Sequence, residues 1–135
     1  GFCLVGSEMC IRDSIERAVW EKLIWNAPFN PLSVIFSHST TADLLVDEQI
    51  VARIRAIMSE VIALAKVDNV HFDDVIIDKK INATRKMAPY KTSMCLDYEA
   101  GRPLEIECIL GHPIGFAHQH SIDVPELKLL YEQLK

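Results

Sequence analysis

The sequence predicts an all-α fold, and three observations carry that expectation. Apolar residues recur at steps of three and four through most of the chain, no segment alternates apolar with polar residues as a half-buried strand does, and Pro and Gly fall at short helix-to-helix connections. The first helix is expected over residues 15–27, where Ile15, Ala18, Val19, Leu23 and Ala27 share a face and Asp13 or Ser14 can cap the start. Pro28 and Pro31 each lack an amide donor, so this helix is expected to kink or stop there and resume as a short turn over residues 32–36, before a polar loop over 37–41. Residues 47–65 form the clearest element, with Ile50, Ile54, Ile57, Met58, Val61, Ile62 and Ala65 on one stripe and an end expected near Asp68 and Asn69. A mixed helical pattern over 72–87 opens with Asp73 and Asp74, where a helix dipole favours acids, and is ended by Pro89. Residues 92–100 predict a short helix closed by Gly101, and residues 104–120 a longer one kinked at Pro113. Val124 and Pro125 start the last helix, which turns Leu127, Leu130, Tyr131 and Leu134 inward.

A chain of 135 residues, 50% hydrophobic, suits one domain with a single core. Its 14 basic against 19 acidic side chains leave a net charge of -5, which argues against a nucleic-acid partner. The longest aliphatic run, residues 61–65, is far below the roughly 20 residues that cross a bilayer, so no membrane partner and a cytoplasmic location are expected. Glycines at positions 1, 6, 101, 111 and 115 spell neither G-x-G-x-x-G nor G-x-x-x-x-G-K, so a phosphate cradle for any nucleotide is not expected on this chain.

Residues 1–14 show neither period, and Leu4 to Ser14 back-translate into one in-frame reading of a transposase-type sequencing adapter. They are expected to be a disordered assembly scar, with the native domain at 15–135 and its gene continuing upstream. Of the four cysteines, Cys3 and Cys10 fall in that segment, and Cys95 and Cys108 are expected to be buried, reduced and inert.

Lys22, Asn26 and Asn30 stand at successive steps of four, so on a continuous helix they form a polar ridge beside the apolar stripe. Flanked by Trp20, Leu23 and Trp25, the ammonium is expected to be partly desolvated and a readier proton donor, and the two amides can bond a small polar ligand. The same spacing also fits a snorkelling lysine with two asparagines capping a proline break. Thr92 and Ser93 fall at a helix start and Glu105 at the next, which suits capping as well as catalysis. His112, His118 and His120 lie at offsets of six and two that share no helical face, and no H-E-x-x-H occurs, so no metal is expected. Without a G-x-S-x-G elbow, Ser93 is not distinguished as a nucleophile.

Several segments stand together in order: W-E-K-L-I-W-N-A-P-F-N-P-L-S over residues 20–33, Glu60 in M-S-E-V, T-S-M-C-L-D-Y-E-A-G-R-P-L-E-I-E over 92–107, Gly111, Gly115, and V-P-E-L-K-L-L-Y over 124–131. In combination they resemble the C-terminal domain of the ketopantoate reductase (2-dehydropantoate 2-reductase) family. The resemblance implies a helical C-terminal domain of a two-domain NADPH-dependent oxidoreductase, whose N-terminal Rossmann domain is absent from this chain and binds most of the cofactor. It implies Lys22 and Glu105 as catalytic residues, Asn26, Asn30 and Ser93 as substrate-binding residues, a small 2-keto acid as substrate in pantothenate biosynthesis, and a homodimer as one assembly. Turnover by this chain alone is not expected. Pro28 stands where the family more often has another residue, which bears on where Asn30 points, and Asp68-Asn69 stands where a glycine commonly ends the long helix. A reductase of another 2-keto acid and a non-catalytic helical interaction module are the alternative readings.

Overall fold

The computed structural model describes residues 9–36, 39–89 and 91–134, with side chains from Glu16 onward. Expectations for residues 1–8, the capping side chains of Asp13 and Ser14, and positions 37 and 38 of the loop lie outside the described residues. Among the described residues there are seven α-helices: α1 Met9–Ile35, α2 Thr41–Val46, α3 Glu48–Val67, α4 Val75–Lys86, α5 Ser93–Glu99, α6 His112–Gln119 and α7 Pro125–Leu134, with a π segment Glu107–Gly111 leading into α6. No strand occurs among the described residues.

The expected break in the first helix does not occur. α1 begins at Met9 rather than Ile15, within the segment expected to be disordered, and runs on through Pro28 and Pro31. Each interior proline costs roughly 3 kcal/mol. The turns that carry them are the most buried of the helix, with Ile24, Ala27, Phe29 and Leu32 all 0% exposed. Fully burying a Leu, Ile or Phe contributes about 1.5–3 kcal/mol each, so packing outweighs the lost backbone bonds. α1 is the hub, packed against α2, α3, α5, α7 and the π segment. Its main partner is α3, whose Ile54, Ile57, Met58, Val61 and Ala65 are buried as the stripe predicts, together with Leu64 outside that stripe, while Ile50 and Ile62 lie at its margin.

Helix α2 falls just after the expected loop, where no helix was expected, and a capping box makes it. Asp43 N–H donates to Thr40 Oγ1 at 3.2 Å while Thr40 N–H donates to Asp43 Oδ2 at 3.0 Å. The single helix expected over residues 104–120 is instead a π segment joined to α6, and the change of hydrogen bonding falls at His112, beside Pro113. A Cβ at Gly111 would meet Glu107 Oε2 at 2.0 Å. That carboxylate accepts the Tyr131 hydroxyl of α7, so displacing it would untie the segment from the last helix.

Three helices end alike, with a residue at positive φ and paired amide-to-carbonyl bonds behind it: Asn69 after α3, Gly101 after α5 and Ser121 after α6. After α3, Asn69 N–H donates to Lys66 O at 3.0 Å and Val70 N–H to Ala65 O at 2.8 Å. Asn69 thus holds, at φ 62, the conformation a glycine would otherwise supply.

Helix α7 takes its cap from elsewhere in the chain. Glu60, midway along α3, accepts Glu126 N–H at 2.8 Å and Leu127 N–H at 2.9 Å, one amide on each carboxylate oxygen. Burial pushes the Glu60 carboxyl above its ordinary value of 4.5, and the two amides pull it only part of the way back. A carboxyl raised in the folded state binds its proton more tightly there than in the unfolded chain. Its contribution is therefore fully present below 4.5 and lost as pH climbs through the raised value. Glu60→Gln removes that titration and one acceptor, at a cost of about 1 kcal/mol. In urea denaturation at stepped pH, the stability of the wild type relative to Glu60→Gln should fall as pH rises from 4.5 and then level off. A pH-independent difference would rule this out.

Candidate functional site

The continuity of α1 aligns the polar ridge. At four-residue steps, Lys22, Asn26 and Asn30 lie one above another, spanning about 12 Å of helix at 1.5 Å per residue. They line an open cleft of about 520 Å³ whose remaining walls are Val19, Leu23 and Trp25 of α1, Ser93 at the start of α5, Glu105 before the π segment, and Cys108 and Ile109 within it. The structure therefore brings together Lys22, Asn26, Asn30, Ser93 and Glu105, drawn from three stretches of sequence.

A chain of hydrogen bonds holds α5 against α1 at this point. The Ser33 hydroxyl donates to Asn30 O at 2.7 Å and shares a 2.7 Å bond with Thr92 Oγ1, which accepts Cys95 N–H at 3.1 Å. With Ser33 donating to a carbonyl, the Thr92 proton goes to Ser33, and every group in the chain is satisfied. Ser33 and Thr92 are both 0% exposed, so the bonds form away from water. Thr92 alone caps α5, which leaves the Ser93 side chain on the cleft.

Among the described residues no hydrogen bond or ion pair engages the side chains of Lys22, Asn26, Asn30, Ser93 or Glu105. Asn30 is 3% exposed as a residue, yet its amide reaches the cleft surface, since among the described residues no fully buried side-chain nitrogen or oxygen lacks a partner. An amide at the cleft surface is able both to donate and to accept there. A second hollow of about 460 Å³ between α1 and α4 contrasts with it. There Arg17 lies 4.5 Å over the Phe72 ring and donates to His71 O, and Lys80 pairs with Glu21.

Two expectations are corrected at the cleft. Lys22 is not desolvated by its neighbours but exposed, because Trp20 turns away into the core, 1% exposed, and donates from Nε1 to Asp68 Oδ2 at 2.8 Å. Nor is Cys108 buried; it is exposed on the cleft wall, whereas Cys95 is buried and its thiol is pushed up by desolvation. Cys108 and Ile109, three and four residues after Glu105, are the lining residues that sequence reasoning missed, and that spacing was the available signal. His112, His118 and His120 are exposed, and among the described residues no three His, Cys, Asp or Glu side chains converge.

Comparison with known proteins identifies the family. The sequence model of the family described as "Ketopantoate reductase PanE/ApbA C terminal" matches residues 14–135. A 2-dehydropantoate 2-reductase of a Nostoc species is 40% identical over 116 residues, which is 86% of this chain and 36% of that protein. Among solved structures, the 2-dehydropantoate 2-reductase of Methylococcus capsulatus superposes with a TM-score of 0.83 at 39% identity, over 89% of this chain and 38% of that one. A dimeric ketopantoate reductase of Staphylococcus aureus superposes with a TM-score of 0.79 at 25% identity, over 87% of this chain and 41% of its own. This chain thus spans well under half the length of these relatives. By sequence and by fold, it belongs to the ketopantoate reductase family and is the family's helical C-terminal domain.

Proposed function

We propose that this chain is the substrate-binding and catalytic domain of an NADPH-dependent 2-dehydropantoate 2-reductase, an enzyme that reduces ketopantoate to pantoate in pantothenate biosynthesis. The observation that carries the reading is the cleft, where one cation, two amides, a hydroxyl and a carboxylate face a common space without partners of their own.

The residues present fit the substrate of such a reaction and not the dinucleotide. The chain has no glycine-rich phosphate turn, and no strand occurs among the described residues to carry one. NADPH, held mainly by an N-terminal domain outside this chain, supplies a hydride. What this chain supplies is charge and position. Reduction of the C2 carbonyl of a 2-keto acid leaves negative charge on its oxygen, and the Lys22 ammonium, exposed on the cleft, stabilises that charge and donates the proton. Asn26, one turn along, and Asn30 donate to substrate oxygens, and Ser93 meets them from α5. Glu105 accepts from a substrate hydroxyl or orients the ammonium once substrate is bound. A cytoplasmic homodimer is the proposed assembly, supported by the dimeric relative.

Three outcomes test this reading. The intact protein, carrying the N-terminal domain, should oxidise NADPH in a ketopantoate-dependent manner, and this chain alone should not; steady turnover by the isolated chain would contradict the division of labour. Lys22→Ala in the intact protein should lower kcat by about a hundredfold or more while leaving stability within about 1 kcal/mol, because the side chain is exposed and unpaired. Lys22→Arg should not restore the rate, since a guanidinium keeps its proton at any accessible pH. Near-normal kcat in either variant would return the lysine to a surface role. Glu105→Gln should cost about tenfold or more in kcat/KM with an unchanged unfolding midpoint, because its carboxylate makes no bond within the described residues.

A further inference from the structure

We propose that Trp25 determines which 2-keto acids the cleft accepts, as a pinned wall against the substituent on C3, and that Thr84 is the positioning residue that holds it. The inference rests on the reductase reading above and deepens it. At 100° per residue, Trp25 lies about 60° round α1 from Lys22 on one side, while Asn26 and Asn30 lie about 40° and 80° round on the other. Lys22 therefore stands between an amide side and an indole side of the same cleft. A 2-keto acid has the matching order of groups: a carboxylate at C1, the reacting carbonyl at C2, and the remainder of the molecule from C3. With the carbonyl oxygen at Lys22 and the carboxylate on the amides, the C3 substituent falls at Trp25.

The indole is held there from two directions. Its Nε1 donates to Thr84 Oγ1 on α4 at 2.9 Å, and its ring stacks on Phe29 with centroids 4.6 Å apart and planes at 21°. Phe29 is 0% exposed and Thr84 3% exposed, so neither support is free to swing aside. The Thr84 proton is committed to Lys80 O at 2.7 Å, which leaves the hydroxyl oxygen oriented to accept from the indole. Both hydrogen-bonding capacities of Thr84 are thereby used, and the wall does not retract when a larger substituent enters. A rigid wall selects by size, so compact branched aliphatic substituents are expected to be accepted beside it and a flat aryl ring to be disfavoured.

The test compares ketopantoate with benzoylformate, an aryl 2-keto acid, as substrates of the intact NADPH-supplied protein. In Trp25→Leu the ratio of kcat/KM for benzoylformate to that for ketopantoate should rise by about tenfold or more. Thr84→Val, which keeps the volume and removes the hydroxyl, should raise the same ratio through KM more than kcat, and Thr84→Ser should leave it at the wild-type value. An unchanged ratio in a folded Trp25→Leu protein overturns the proposal. If that variant does not fold, the Thr84 pair decides by the same ratio. A wild type that reduces neither compound overturns the reductase reading and this inference with it, whereas ketopantoate reduction with an unmoved ratio overturns this inference alone.

Discussion

The burial of α1 around its two prolines is the constraint on which the rest depends. Backbone chemistry favours a break at Pro28 and again at Pro31, and the core residues Ile24, Phe29 and Leu32 oppose it. Were the helix to break, Asn30 would leave the face that holds Lys22 and Asn26, and Ser33 would lose Thr92. The ridge and the docking of α5 thus follow from one packing decision. Helices α3 and α5 pack against α1, and the polar residues that α1 sends to the cleft keep a common face because the helix is continuous.

The same helix divides its two tryptophans between structure and site. Five positions apart, Trp20 and Trp25 point about 140° away from one another at 100° per residue. Trp20 goes to the core and satisfies its indole nitrogen on Asp68 at the end of α3; Trp25 borders the cleft and satisfies its own on Thr84. Thr92 and Ser93 share labour in a similar way, the first capping and bonded to Ser33, the second left to the cleft. Adjacent residues of like chemistry thus serve fold and site separately, and a functional side chain need not also hold the structure together.

How much of this is legible in the sequence depends on how local the deciding interaction is. The stripe of α3, the Gly101 ending of α5 and the proline start of α7 are written in residues within a turn or two of one another, and each stands where its pattern puts it. The Lys22, Asn26 and Asn30 spacing is local too. Helix α2 is written locally as well, in the capping box of Thr40 and Asp43, though the apolar pattern over its six residues is too short to announce it. What the pattern does not reveal involves partners far along the chain: the packing of α1 on α3 and α5, the bond of Tyr131 to Glu107 in the π segment, the bond of Ser33 to Thr92 beside Ser93, and the turn of Trp20 toward Asp68. Asn69 and Ser121 in the left-handed region are intermediate, since neither residue type announces a helix end as glycine does.

The capping of α7 by Glu60 also bears on the order of assembly. Ten residues are fewer than the roughly 12–15 at which an isolated helix begins to persist in water, so α7 has little tendency to form by itself. Its first two amides find their acceptor 66 and 67 residues earlier in the chain. As the polypeptide is made, Glu60 emerges long before those amides exist and stays hydrated until they arrive. The last helix is consequently a closure event of high contact order, completed on an α3 that has already folded. Its hydrogen-bonded start then opens only when α3 loosens, which makes the end of the chain report on the integrity of its middle.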